Sequence, residues 1–437
     1  MNDNAYRLCN EVKGRFVISR ETLMFMSFIL FFSSQFIRLV LSKILGKIGM
    51  LDKMTICVIC IIYTPLLLAL LINLNRGLKK IIPFLFLLIT VLLFFEITLL
   101  VHPEYQYWYS RETYGVVDTI FRPDKGGIFG FLFVAILASN KEKMIKSLKT
   151  VLVINFFMIL YKYSQYMVRG YWQEINGYGE TIQSSYSLDF GYEAVFIVLL
   201  SMLFCFIEKR KIYLIITMIS SGVLILAGSR GPLIILTVSV SLLIIRKIFV
   251  SNSVKKFLYV FGIIAISLLI IFSLQSILDA LSFVIAKYNI SSRALQSIVS
   301  GTLTDDNGRN AIKDIVNSYM SNAPFFGFGA YGDRYMIGPS FNWGYCHNIL
   351  LEFQVDFGKI PGTVCLIGIL VVTLLKLKKY LYDIESFSVI LLFFSMNIRL
   401  MVSGTFWGDK FFWGLLSIIL FWKYVGGDSN DSTLVSA

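Results

Sequence analysis

Residues 212–245 read IYLIITMISSGVLILAGSRGPLIILTVSVSLLII. Two apolar runs, Ile212–Ala227 and Pro232–Ile245, flank the break Gly228-Ser229-Arg230-Gly231-Pro232. Such runs, joined by so short a turn, read as two helices crossing an apolar medium and doubling back. Runs of the same kind recur on both sides. They lie near Met24–Leu45, Ile56–Leu74, Ile81–Val101, Gly126–Ser139, Val151–Leu160, Tyr192–Ile207, Phe257–Leu274, Phe357–Leu375, Phe387–Leu400 and Phe412–Trp422, which with the first two makes twelve. The fourth, fifth and last in chain order are short.

Composition agrees. Of 437 residues, 57% are hydrophobic and 15% charged, and mean hydropathy is +0.73. An average soluble domain carries about 25% charged residues. The expected fold class is therefore an all-α polytopic membrane protein of about twelve transmembrane helices. A cytosolic enzyme, a DNA-binding domain and a secreted disulfide scaffold are excluded. The net charge of +13 does not point to nucleic acid, because the basic residues are dispersed between apolar runs. Cys57 and Cys60 have CxxC spacing without partner ligands nearby, and there are only two histidines, so neither a metal nor another cofactor is expected. The run from Met24 is longer than a signal-peptide core and lacks a small-residue cleavage site, so it reads as an uncleaved anchor.

Alternating the runs from a cytoplasmic N-terminus puts 22 of the 40 Lys and Arg in short cytoplasmic pieces, as the positive-inside rule requires. Both termini are then cytoplasmic. Lys43, Lys47 and Lys53 fall on the wrong side. The chain divides into a helical part over 1–274, a large extracytoplasmic loop over 275–356, and helices with a cytoplasmic tail over 357–437. A connector needs no such length, and long loops of this kind are commonly functional. Within the loop, Ile312, Ile315, Val316 and Tyr319 form an apolar helical stripe.

Several outer-face residues suit chemistry. Arg230 sits where positive charge is disfavoured, beside two glycines and a helix start, a setting fit to bind an anion. Arg309 opens the loop helix after Asp305-Asp306-Asn307-Gly308. It reads either as a second anion clamp or as a surface partner of those aspartates. Arg293 in Ser291-Ser292-Arg293 offers the same two readings. His347 closes the loop and suits proton transfer near neutral pH, or it is an interfacial polar residue. Asn348, Glu352 and Asp356 share one helical face after it. Tyr105, Tyr107, Trp108 and Tyr109 read as an interfacial belt, with a sugar-stacking platform as the alternative. Arg38 and Glu96, near outer ends of runs, read as snorkelling residues or as a buried pair.

Three segments together resemble a known family: Leu226-Ala-Gly-Ser-Arg-Gly-Pro-Leu-Ile, then Gly308-Arg309 with Pro324-Phe-Phe-Gly-Phe-Gly, then His347-Asn348-Ile-Leu-Leu-Glu-Phe with Asp356-Phe-Gly and Gly362. In this order they resemble the O-antigen ligase and polysaccharide polymerase (Wzy) superfamily. Tyr186-Ser-Leu-Asp-Phe-Gly-Tyr192 and Arg399-Leu-Met-Val-Ser-Gly look like segments of its capsule-type polymerases. The resemblance implies a GT-C-like helical fold in the bacterial cytoplasmic (inner) membrane. It implies metal-independent glycosyl transfer on undecaprenyl-diphosphate-linked oligosaccharide, with membrane lipids, a chain-length regulator and a flippase as partners. Arg230, Arg309 and His347 would be its catalytic residues. Arg111, Arg122, Arg293 and Asn348 are the further candidates for binding substrate. A repeat-unit polymerase is the first expectation. A ligase passing finished glycan to lipid A core or protein, and a flippase for the same lipid-linked unit, are the alternatives.

Overall fold

The computed structural model describes residues 19–72, 74–175, 181–184, 186–227, 230–262, 308–341 and 345–422, with scattered residues between 273 and 301. Arg293, the Asp305-Asp306 pair, most of the expected span Phe257–Leu274 and the two chain ends lie outside the described residues.

The described chain is overwhelmingly helical. In chain order the helices are α1 (Arg20–Phe32), α2 (Ser34–Lys47), α3 (Met54–Ile72), α4 (Leu74–Val101), α5 (Phe129–Ala138), α6 (Lys141–Arg169), α7 (Leu188–Glu208), α8 (Lys211–Ala227) and α9 (Arg230–Val250). After the large loop begins come α10 (Arg309–Met320), α11 (Gly332–Ile337), α12 (Ile349–Phe357), α13 (Lys359–Lys379), α14 (Ile384–Asn397) and α15 (Lys410–Phe421). Among the described residues, seven stretches are long and apolar enough to cross a membrane. Counting the bent pair α1–α2 as one span makes eight, and α5, α8 and α15 are shorter apolar helices. The chain is a multi-pass membrane protein.

Three features depart from the sequence reading. The first expected span is broken: α1 and α2 meet at 74° about Ser33. The break frees the Phe32 carbonyl, and the Asn155 side-chain amide of α6 donates to it at 3.2 Å, so no buried acceptor is left bare. Second, a two-stranded antiparallel hairpin interrupts the helices, β1 (Trp172–Ile175) with β2 (Thr181–Ser184). The Trp172 ring packs between Tyr166 at 4.6 Å and Phe190 at 4.4 Å, which roots the hairpin on α6 and α7. Third, Arg38 pairs with Asp124 and not with Glu96, which is exposed on α4.

Burial ranks the helices. In α7, 72% of the apolar window is buried, against 17% in α9 and in α13. α7 is therefore the central post, and the exposed Ile and Leu of α3, α4, α9 and α13 form the lipid-facing surface. At about 1.5 Å per residue, α5 and α15 are too short to cross a hydrocarbon core of about 30 Å. They pack on each other inside the bundle, where every residue of α5 except Phe129 is buried. Phe31 of α1 stacks on Phe133 of α5 with centroids 4.3 Å apart.

One end of the bundle gathers the helix starts at 188, 230, 349 and 410 together with the loop helices. The loop docks on α4, where the Ala330 N–H donates to Thr98 Oγ1 at 3.1 Å and Tyr109 Oη donates to the Ala330 carbonyl at 2.8 Å. Tyr105 and Trp108 are buried under α11, and Tyr107 alone of this cluster is largely exposed. Three of the four aromatics thus pack beneath the loop and do not form a membrane belt. α10 buries Ile312, Val316 and Met320, and Tyr319 turns outward. At the other end of the bundle, Lys149 holds Glu208, and Lys141 holds Asp383 and Glu385.

Candidate active site

α7 begins on a capped turn, with Ser187 Oγ accepting from the Phe190 N–H at 3.1 Å. One turn later Tyr192 is buried against the first turn of α9. A Cβ at Gly231 would stand 2.7 Å from the Tyr192 hydroxyl, so a side chain there would push α9 away. The glycine lets the first turn of α9, which Arg230 opens, pack closely on that hydroxyl. Arg230 is half-buried at this junction.

Two arginines act on the Tyr192 phenol. Arg399, in the 3₁₀ turn Ile398–Met401, lies 5.3 Å from the centroid of the Tyr192 ring. Its Nε donates to Asp409 Oδ2 at 2.5 Å. Asp409 is the N-cap of α15, with Oδ1 accepting from the Phe411 and Phe412 N–H groups at 2.7 and 3.3 Å. Arg309, exposed at the start of α10, reaches Tyr192 electrostatically. It reaches His347 as well.

His347 has φ of +51°. A non-glycine residue in the left-handed region costs about 1–3 kcal/mol and persists only where the surroundings enforce it. On one side the Cys346 N–H donates to Asp333 Oδ2 at 3.1 Å. On the other, Asn348 caps α12, its Oδ1 accepting from the Leu350 and Leu351 N–H groups at 2.9 and 3.3 Å. The imidazole packs on Tyr345 with centroids 4.1 Å apart. Its Nδ1 is buried and meets no hydrogen-bond partner among the described residues. Burial, then the Arg309 and Arg334 guanidinium groups, push its pKa down to about 4. The ring is neutral at pH 7, with one nitrogen unused. Burial also holds the neighbouring Tyr345 phenol protonated.

Behind His347 lies a buried charge knot. Arg334 Nη1 donates to both Asp333 oxygens at 2.6 and 2.7 Å and to Glu352 Oε1 at 3.0 Å. The guanidinium lies 4.1 Å from the centroid of the Tyr331 ring. Glu352 accepts in turn from Thr405 Oγ1 and from the Phe406 N–H at 3.1 Å. Trp407 Nε1 donates to Asp356 Oδ2 at 2.6 Å. One guanidinium thus serves a site holding three carboxyls. Burial, reinforced by Asp333 and Glu352, raises Asp356, so the knot retains a proton there.

The sequence-nominated residues part company here. Arg230, Arg309 and His347 gather around Tyr192 and Tyr345. Asn348, whose acceptor oxygen is occupied, positions His347. Arg122 donates to Asp118 at 2.6 Å, Asp124 at 3.0 Å and Thr55 at 3.1 Å, which ties the loop before α5 to α3. Arg111 lies over Trp108 at 5.2 Å, at the edge of the aromatic cluster. Tyr192, Arg399 and Arg334 were not nominated. Arg399 carried the signal that singled out Arg230, a positive charge on the disfavoured face at the end of an apolar run. Arg334 carried none, since nothing local in Tyr331-Gly-Asp-Arg-Tyr announces burial.

The site thus joins several guanidinium groups, the N-termini of α7, α9, α12 and α15 and one neutral imidazole. Helix N-termini and arginines both favour anions, and phosphate most of all. Among curated proteins, none matches the chain significantly. Residues 214–367, roughly a third of the chain and the part that carries Arg230, Arg309 and His347, match the family model Wzy_C, O-antigen ligase, a match consistent with the O-antigen ligase and polysaccharide polymerase superfamily that the motifs resemble.

Proposed function

We propose that the protein is a polysaccharide polymerase. It joins undecaprenyl-diphosphate-linked oligosaccharide repeat units at the outer face of the bacterial cytoplasmic membrane, in capsule or O-antigen synthesis. The family match supports handling of lipid-linked glycans. The observation that carries the reading further is the junction at Tyr192, where Arg399 lies 5.3 Å from the ring centroid, the first turn of α9 with Arg230 packs on the hydroxyl, and the Arg309 charge is felt.

In the proposed reaction a hydroxyl oxygen of one lipid-linked unit attacks the anomeric carbon of another. The bond from that carbon to the diphosphate oxygen breaks, and undecaprenyl diphosphate leaves with the electron pair. Arg230 and Arg309 stabilise the charge that grows on the leaving group, so no divalent cation is called for. His347 takes the acceptor proton. The imidazole is a weak base here, because burial and then the Arg309 and Arg334 charges disfavour its protonated form. A diphosphate bound at Arg309 offsets that guanidinium's share of the shift and raises the imidazole above the value that burial and both arginines set. Donor binding would thereby switch the base on.

A ligase remains the second reading, because the matching family model is described as O-antigen ligase. Purified protein is incubated with a lipid-linked repeat unit, with and without EDTA. An EDTA-resistant ladder of longer products supports the polymerase. A single transfer to another acceptor means ligase, and no covalent product means transport.

A further inference from the structure

The end of the bundle away from Arg230 holds a feature that glycosyl transfer does not use. Sixteen residues along α9, about 24 Å at the helical rise, stand Arg246 and Lys247. With Val240, Leu243 and Ile244 they face Met202 and Phe206 of α7, Tyr259 of the helical stretch 253–262, and Ile384 of α14. These residues line a cavity of about 260 Å³. Its body is aliphatic and aromatic, and its two charges are both positive. Phe206 and Ile244 are exposed on the lipid-facing side.

The cations here are not used up by the acids nearby. Glu208 is held by Lys149, Arg210 and the Tyr213 hydroxyl. Asp383 and Glu385 are held by Lys141 at 3.2 and 3.0 Å, and Asp383 also caps α14. Asp383 is the carboxylate whose field reaches Arg246. The Arg246 guanidinium rests over the Phe387 ring at 5.2 Å, and its Nε is buried and meets no hydrogen-bond partner among the described residues. The Lys247 ammonium lies 6.0 Å from the centroid of the Tyr259 ring.

We infer that this cavity binds an anionic phospholipid, with an acyl chain between α7, α9 and residues 253–262 and the phosphate at Arg246 and Lys247. Basic pockets between transmembrane helices suit such headgroups. Two features select this occupant. A free phosphate would leave the apolar body unfilled. A zwitterionic lipid would bring its own ammonium to a site that already holds two cations. The cavity falls below the ~300–1,000 Å³ of pockets that engulf whole small molecules, which suits a segment of lipid chain.

The test uses the full chain, purified and delipidated in detergent, with bound lipid counted by native mass spectrometry. The probes are phosphatidylglycerol and phosphatidylcholine of identical chains, and glycerol phosphate as the headgroup alone. Phosphatidylglycerol should bind well above phosphatidylcholine, and glycerol phosphate should not displace it. Arg246→Gln and Lys247→Gln should each weaken phosphatidylglycerol about fivefold and leave phosphatidylcholine unchanged. Val240→Trp, which fills the cavity, should weaken both lipids. Should Arg246→Gln not accumulate, Lys247→Gln at its exposed position carries the comparison. Equal binding of the two lipids, unchanged affinity in the glutamine variants, or displacement by glycerol phosphate would each overturn the assignment.

Discussion

Two arginines of the large loop, Arg309 and Arg334, both act on His347 and live in opposite conditions. Arg334 is 5% exposed and shares one nitrogen among three carboxylate oxygens. Arg309 is exposed at a helix start. Both lower the histidine pKa. A guanidinium whose hydrogen bonds are closed within the fold holds the chain together, whereas one at a solvent-facing helix start is placed to meet a ligand. Charge alone does not separate the two, but hydrogen-bond geometry does. Substitutions at five positions and one pH profile can break or sharpen that division.

The largest effect belongs to the knot. Arg334→Ala leaves Asp333 and Glu352 buried without their cation, a loss of about 3–5 kcal/mol. Folded protein recovered by size-exclusion chromatography should collapse. Recovery at the wild-type level would mean that the knot is dispensable and that Arg334 belongs with the ligand-binding arginines.

Arg230→Ala and Arg309→Ala should insert and accumulate normally, yet lose about 10²–10³ in chain extension, or about 2.7–4 kcal/mol of transition-state stabilisation. Lys at either position should rescue only in part, because it lacks the planar fork that grips two phosphate oxygens. A normal product-length distribution from Arg309→Ala would reassign Arg309 to the surface.

His347→Ala should lose about 10²-fold or more, and His347→Gln should do no better if the ring accepts a proton. The pH profile sharpens this. The folded pKa of about 4 lies below the ordinary 6.5, so the folded protein keeps the ring neutral as pH falls to about 4. The acid limb of kcat/KM, which reports the free enzyme, should lie near 4, and that of kcat should lie higher because the donor shields Arg309. Between those pKa values the unfolded chain binds the extra proton, so stability is lost as pH falls from about 6.5 to about 4. Coincident limbs near 6.5 would remove the burial argument.

Asn348→Ala is the smallest. Loss of the α12 cap should cost about 1 kcal/mol in thermal stability. A rate loss beyond what that shift explains would move Asn348 from holding His347 to touching substrate.

Hydrophobic runs, their breaks and the distribution of Lys and Arg were legible in the sequence, because each is a local property of the chain in a membrane. From them came the helical multi-pass class, one face that gathers the breaks, and Arg230 as a candidate, whereas the resemblance to a family is what selects Arg309 and His347. The bend at Ser33 was not legible, because it depends on an amide from α6, more than 120 residues away. Nor was the fate of Tyr105 and Trp108, whose burial depends on where α11 lands. The sorting of arginines is of the same kind. Arg122, Arg309, Arg334 and Arg399 read alike as positive charges on one face. Only the tertiary structure decides which are closed: Arg334 and Arg399 are held by Glu352 and Asp409, 18 and 10 residues away, whereas Arg122 closes on its near neighbours Asp118 and Asp124 and Arg309 stays exposed, since an ion pair is set by distance in space and the sequence records distance along the chain.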